Sequence, residues 1–246
     1  MRRFARNGRT IAVPAVSLLV LAGCAVTEQR VEPVVVPNPV FGPMTIAVAP
    51  ALNQSGAADF DPSRFADLMA SELGHAEGIT VIPVSRVLGV LAAQGADSVE
   101  SPTHALELAF LLGADAILVF AVTEYDPYDP PSIGISAQLY GARPVRGGGS
   151  PDPVALSKEP GLASSAEKGT RGLLAENQRV YDASHDSVVA EVRGFAAKRK
   201  GKASPYGWRR YLVSQREYIR FCCHATIRAL LDRREENLFA DVTRQR

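Results

Sequence analysis

The fold of this chain is decided by residues 111–125, which read LLGADAILVFAVTEY. Gly113 ends a helix with an apolar stripe, and the segment Asp115–Thr123 that follows is almost continuously apolar and rich in Val, Ile and Phe. This composition is typical of a strand that is covered on both faces. The sequence therefore predicts a central strand at 115–123, with the remaining elements packed on its sheet.

The chain before this strand alternates between short apolar strands and amphipathic helices. Asp61 is a favourable N-cap residue with Pro62 at the first helical position, and Ser101 with Pro102 repeats this signal. Apolar residues recur at helical spacing after each cap. The predicted elements are strands at 44–50 and 79–84, and helices at about 62–74, from the cap Ser85 to Gly95, and from Ser101 to Gly113.

The chain after the central strand predicts one more strand, an insertion, a hairpin and a closing helix. Residues 133–139 alternate between apolar and polar or small side chains, which favours a half-covered strand antiparallel to its neighbour. The Gly- and Pro-rich segment at about 141–176 predicts a flexible insertion. We expect a hairpin over 179–192, a helix over roughly 206–236 and a tail at 237–246.

Together these elements predict an α/β fold with a mixed sheet flanked by helices, a three-layer sandwich over 44–236. The chain has 246 residues and a formal net charge of +1. This length suits one domain with a large insertion.

The first 23 residues have the composition of a bacterial lipoprotein signal peptide. Four arginines and no acid precede the apolar run Ile11–Leu21, which is too short to span a bilayer permanently. The run ends in Leu21-Ala22-Gly23-Cys24, which resembles the lipobox cut by lipoprotein signal peptidase. We expect cleavage between Gly23 and Cys24 and acylation of Cys24, for example with palmitate. The alternative is an ordinary signal peptide with an incidental cysteine.

A lipidated Cys24 would hold the protein on a membrane, because two or more acyl chains anchor stably. Ala25 follows the cysteine where Asp would resemble an inner-membrane retention signal, so we expect the periplasmic face of the outer membrane, with the inner membrane as the alternative. Residues 24–43 contain four prolines and predict an extended tether. Removing the four arginines of the signal peptide lowers the formal charge from +1 to −3.

The order of elements, with Leu112–Val119 (LGADAILV), Val122–Tyr125 (VTEY) and Val180–Ala183 (VYDA), resembles a group of envelope lipoproteins. The group includes the curli secretion channel lipoprotein and the lipoprotein activator of a penicillin-binding protein. The resemblance covers about 44–140 and 178–234. It implies a core similar to the amino-terminal domain of TolB.

This resemblance implies one of two roles. The channel members form oligomers and insert two amphipathic hairpins per subunit into the membrane, which requires alternating apolar residues. Residues 141–176 do not supply that pattern. The activator members are tethered protein-binding domains, and the resemblance carries over none of their partner-contacting residues.

Several residues near the central strand are candidates for chemistry. A carboxylate pair drawn from Asp115, Glu124, Asp126 and Asp129 would lie near the strand ends, where α/β sheets often bind ligands. Turn formation by Asp before proline is the simpler explanation for the last two. The sequence therefore predicts no catalytic residue.

The sequence also predicts neither a metal nor a cofactor. His75, His104, His185 and His224 are scattered and lack the helical spacing of a zinc site, so we interpret them as surface or capping residues. Cys222 and Cys223 are adjacent, and we expect one of them to face the core. Gly147–Gly149 lacks the lysine of a phosphate-binding loop.

The strongest charge signal is the basic stretch 193–220, which contains nine Lys and Arg residues and the single acid Glu217. The net charge of this stretch is +8, within a mature chain of −3. It indicates a patch for an anionic partner, and the export signal argues against nucleic acid. Lipid headgroups, phosphate-bearing polymers and an acidic protein face fit, and the alternative is a solvated loop. The candidate patch residues are Lys198, Arg199, Lys200, Lys202, Arg209 and Arg210.

The sequence thus favours a membrane-anchored periplasmic lipoprotein that acts as a non-catalytic interaction module. Such a module would recruit or regulate an envelope machine in cell-wall synthesis or secretion through an envelope protein partner. The alternatives are an oligomeric secretion-channel subunit of the curli type and a periplasmic hydrolase.

Overall fold

The computed structural model describes residues 34–38, 43–142, 172–199 and 204–244, with side chains described as far as Asp232. The strands are β1 Met44–Val48, β2 Leu52–Asn53, β3 Ile79–Ile82, β4 Ala116–Asp126, β5 Ser132–Gly141 and β6 Gly172–Asp182. The helices are α1 Pro62–Leu73, α2 Val84–Ala93, α3 Pro102–Leu112, α4 Asp186–Lys198, α5 Arg210–Val213 and α6 Gln215–Arg244. A 3₁₀ helix at Gly207–Arg209 precedes α5.

The described strands form one six-stranded sheet in the order β3-β1-β4-β5-β6, and the short β2 also pairs with β4. β1 is parallel to β3 and β4, whereas β5 is antiparallel to β4 and β6. One face of the sheet packs against α1, α4 and α6, and the other face packs against α2 and α3. The predicted α/β fold, with a mixed sheet between two layers of helices, is confirmed.

The central strand β4 is buried on both faces, as the sequence predicts. Leu118 and Phe120 face the larger cluster of core residues, and Ile117 faces the smaller one. Each of these side chains is at most 1% exposed. Because side chains alternate along a strand, the uninterrupted apolar run places buried residues in both core clusters.

Two of the three predicted helix caps are confirmed. Asp61 accepts hydrogen bonds from the backbone N–H groups of Ser63 and Arg64 at 3.0 and 3.1 Å, and the Ser101 hydroxyl accepts from the N–H of His104 at 3.1 Å. Ser85 does not cap α2. Pro83 occupies the N-cap position, which places Ser85 inside the first turn.

The prediction of a hairpin over 179–192 is wrong in its second half. Asp182 ends β6 and accepts a hydrogen bond from the N–H of Ser184 at 2.8 Å, and the chain then forms helix α4. Val188, Val192 and Phe195 are the buried residues of α4. This spacing of four and three residues is that of a helix, and the core contact of Phe195 selects it over a strand.

Three predicted boundaries also shift. Of the expected insertion 141–176, Gly141 ends strand β5 and residues 172–176 begin strand β6, whereas 143–171 lie outside the described residues. The closing helix α6 begins at Gln215 and continues to Arg244, through most of the predicted tail. The signal peptide and Cys24 also lie outside the described residues.

Part of the predicted tether contacts the domain. Val34 and Val36 are buried, and Val36 forms a parallel bridge with Ala76. The tether residues 24–33 and 39–42 lie outside the described part of the chain. No described helix combines the length and apolar composition needed to cross a bilayer.

Candidate functional site

A basic and aromatic surface lies where α4 meets the 3₁₀ helix before α5. We name it the Trp208 face and define it as Arg193, Tyr206, Trp208 and Arg209. The guanidinium carbon of Arg193 lies 4.3 Å from the centroid of the Trp208 ring, and that of Arg209 lies 5.7 Å from it. Both arginines are exposed, and Tyr206 is 65% exposed. Two cations therefore stack on one indole at the protein surface.

Local structure holds this face in place. Gly207 has a φ of 53°, a left-handed conformation that lets the chain turn sharply between Tyr206 and Trp208. The Trp208 ring is partly buried against the larger core cluster. Val192 and Phe195 anchor α4 in the core and leave Arg193 outside. The arginines therefore stand on a fixed aromatic platform.

The structure separates the other residues of the candidate patch. Lys198 is exposed at the end of α4, whereas Lys200 and Lys202 lie outside the described residues. Arg210 is half-buried and donates to the Tyr211 hydroxyl at 2.8 Å. Arg199 is only 8% exposed and does not belong to the surface. Of the named patch, Lys198 and Arg209 are thus exposed cations.

Arg199 instead enters a buried group of charges that we call the Glu72 cluster, made of Glu72, His75, Arg199, Arg220 and His224. Nη2 of Arg199 and Nε of Arg220 each lie 3.1 Å from Oε1 of Glu72. Nδ1 of His75 and Nδ1 of His224 each lie 3.6 Å from Oε2. The cluster joins α1, α4 and α6 on one face of the sheet.

The Glu72 carboxylate is fully buried, and its neighbours keep it charged. Burial alone would raise the pKa of Glu72, but contacts with His224, Arg199, His75 and Arg220 outweigh burial and lower the pKa below its ordinary value. Removing one partner from such a group would leave a buried charge uncompensated. Loss of one partner is therefore expected to destabilise the region where α1, α4 and α6 meet.

The cluster corrects the interpretation of the histidines as separate surface or capping residues. His224 is 8% exposed and meets His75 at one carboxylate, because the end of α1 packs against α6. His104 and His185 remain near the surface at helix starts. A sequence signal for the cluster existed, since Glu72 lies on the apolar stripe of α1 between Met69 and Leu73. The described residues contain no group of three His, Cys, Asp or Glu side chains suited to a metal.

The structure separates Asp115 from the other three candidate carboxylates, because it lies at the opposite end of β4. Asp115 accepts a hydrogen bond from the Thr45 N–H at 2.8 Å at the start of β4, whereas Glu124 and Asp126 lie at its far end. Eleven extended residues separate Asp115 from Asp126 by roughly 36 Å. Asp126 accepts from the N–H of Tyr128 at 3.1 Å, which is a turn contact, and Asp129 precedes Pro130 through a cis peptide bond.

Both cysteines of α6 are buried and free, rather than one alone. The helix packs on β5 and β6 and against α1, so adjacent positions are covered from different sides. Burial raises the pKa of both thiols. Electrostatic interaction with Cys223 raises the pKa of Cys222 further, and interaction with Glu72 does the same for Cys223. These thiols therefore stay protonated at neutral pH and behave as core side chains.

No protein-family model and no curated protein sequence matches the chain. Solved structures do resemble it. The C-terminal domain of LpoB from Salmonella enterica is 11% identical, covers 59% of this chain and 87% of its own length, and has a TM-score of 0.41. Lipoprotein GNA1162 from Neisseria meningitidis is 23% identical, with coverage of 51% and 96% and a TM-score of 0.35.

A dodecamer of PelC from Paraburkholderia phytofirmans is also similar, with 15% identity, coverage of 66% and 88% and a TM-score of 0.29. These structures match the lipoprotein group that the sequence resembles, at low identity. The likeness is one of fold alone.

Proposed function

We propose that the mature chain is a lipid-anchored envelope lipoprotein that acts as a non-catalytic interaction module. In this proposal Cys24 carries the anchor, and the Trp208 face docks an acidic surface of an envelope protein. The protein thereby recruits or regulates a machine of cell-wall synthesis or secretion at the outer membrane.

The observation that carries this proposal is the stack of Arg193 and Arg209 on Trp208. Trp and Arg dominate the energetic centres of protein interfaces, because they combine a large apolar area with directed charge. Within the described residues, neither arginine has an acidic side chain within salt-bridge distance. Two ordered guanidinium groups are thus free to meet carboxylates of a partner.

The charge distribution supports an acidic partner. The stretch 193–220 has a net charge of +8 in a mature chain of −3, and its exposed described cations are Arg193, Lys198, Arg209 and Arg216. Such a concentration of positive charge steers an oppositely charged surface and speeds its association. The exposed Tyr206 and the Trp208 platform suit a protein surface, because aromatic residues and Arg are enriched at protein interfaces.

A crosslinking experiment in intact cells tests this proposal. A photo-crosslinking amino acid at position 206 is expected to capture a discrete envelope protein. The double substitution Arg193→Glu and Arg209→Glu should reduce that product at least ten-fold, which corresponds to about 1.4 kcal/mol or more of binding free energy.

Arg86→Glu is the matched control, because Arg86 is exposed on α2, on the opposite side of the sheet. This control should leave the crosslinked product unchanged. An equal loss with Arg86→Glu, or no loss with the double substitution, would argue against the Trp208 face as the docking site.

A further inference from the structure

The segment Val34–Asn38 is joined to the domain by backbone hydrogen bonds. The N–H of Val36 donates to the carbonyl of His75 at 3.1 Å, and the N–H of Glu77 donates to the carbonyl of Val36 at 3.0 Å. The side-chain amide of Asn38 donates to the carbonyl of Glu77 at 3.0 Å. This parallel pairing lies in the connection between α1 and β3.

Side-chain burial in this segment follows a strand pattern. Val34 is 8% exposed and Val36 is 1% exposed, and both belong to the larger core cluster. Val35 between them is 56% exposed. The alternation shows that the pairing is specific in register, because a shift by one residue would exchange Val35 for its buried neighbours.

The segment docks on the chain that connects α1 to β3. His75 supplies the acceptor carbonyl, and its side chain faces the buried carboxylate of Glu72 in the Glu72 cluster. Ala76 is itself buried. The segment therefore packs on the connection between α1 and β3, beside the Glu72 cluster.

We propose that Val34–Asn38 is a strap that reversibly docks the tether on the domain and sets its free length. Its described contacts include two hydrogen bonds between main chains, the bond from the Asn38 side chain and the burial of Val34 and Val36. A short segment at the edge of a domain opens at the low end of local stabilities. Its effect on reach rests on the lipid anchor of the proposed function, whereas the docking itself does not.

The consequence for reach follows from chain length. With the strap docked, ten residue steps connect Cys24 to Val34, a span of at most about 35 Å. With the strap released, twenty steps connect Cys24 to Met44, and the maximum span doubles to about 70 Å. Release of the strap thus doubles the maximum span of chain between Cys24 and the domain.

Amide hydrogen exchange of the full-length protein tests the docking. In the wild type, the amides of Val36 and Glu77 should exchange at least ten-fold more slowly than unstructured amides. Val36→Asp would bury a charge and should abolish this protection, whereas Val35→Asp, at the exposed position, should preserve it. Protection of Ile46 in β1 should persist in both variants and show that the domain is folded.

Unprotected Val36 and Glu77 amides in the wild type, or unchanged protection in Val36→Asp, would overturn the strap. The reach is tested by neutron reflectometry of the acylated protein in a supported bilayer. Val36→Asp should increase the distance between the domain and the bilayer relative to wild type and Val35→Asp. Equal distances in the three proteins would contradict the claim that the strap shortens the tether. If the wild type failed to bind the bilayer, only the lipid anchor would be contradicted. Hydrogen exchange at Val36 and Glu77 would still test whether the strap docks on the domain.

Discussion

At the scale of single residues, Glu72 shows what sequence patterns miss. Its partner Arg199 is 127 residues away along the chain, so no local spacing indicates the pair. Cys24, by contrast, is predicted from four adjacent residues, and the basic stretch from composition alone. Local motifs are thus accessible from sequence, whereas a buried charge cluster depends on how helices pack.

The Glu72 cluster predicts a specific dependence of stability on pH. Because the folded pKa of Glu72 lies below the ordinary value of 4.5, its contribution is present above that value and is lost as the pH falls through the folded pKa. Glu72→Gln should lower the free energy of unfolding at pH 7 by about 3 kcal/mol, since it leaves Arg199 and Arg220 without their carboxylate. Urea unfolding between pH 7 and pH 3 measures both effects.

The difference between wild type and Glu72→Gln should shrink below about pH 4.5. Glu107→Gln on α3 is the control, because Glu107 is exposed and should change stability by less than about 0.5 kcal/mol. A difference that stays constant with pH would show that the pKa of Glu72 is the same in the folded and unfolded states, and a difference that grows as the pH falls would show that Glu72 is protonated in the folded protein.

At the scale of elements, helix starts could be predicted from local capping residues, whereas elements that depend on tertiary packing could not. Asp61 with Pro62 and Ser101 with Pro102 determine helix starts through contacts within three residues. The segment that forms α4 also alternates like a strand, and its burial against α6 decides the outcome. The extent of β6 follows from pairing with β5, which the sequence near Gly172 does not show.

The close pairing of β4 and β5 predicts how an added methyl group at Gly134 changes stability. A Cβ at Gly134 in β5 would lie 2.5 Å from the Thr123 hydroxyl oxygen and 3.1 Å from the backbone nitrogen of Glu124. Gly134→Ala should therefore destabilise the protein by about 1–3 kcal/mol. Gly89→Ala in α2 meets no atom within 4 Å and should stabilise it by about 0.5–1 kcal/mol.

Thermal or urea unfolding of the two variants measures these opposite signs. Equal effects of Gly134→Ala and Gly89→Ala would show that β5 does not approach β4 closely at this position.

At the scale of the whole molecule, the sequence predicted the sheet between two helical layers because periodicity and turn residues report on local structure. It did not predict that the tether docks on the domain, since the buried valines Val34 and Val36 stand in a Pro-rich segment typical of a spacer. We therefore propose a molecule that combines a lipid anchor, a strap and a basic aromatic face with one α/β domain.

The most direct test of this account is mass spectrometry of the mature amino terminus from membrane fractions. The account predicts an amino-terminal peptide that begins at Cys24 and carries diacylglycerol and an amide-linked acyl chain. A chain that begins elsewhere, or an unmodified Cys24, would contradict the lipid anchor and with it the proposed tethered module.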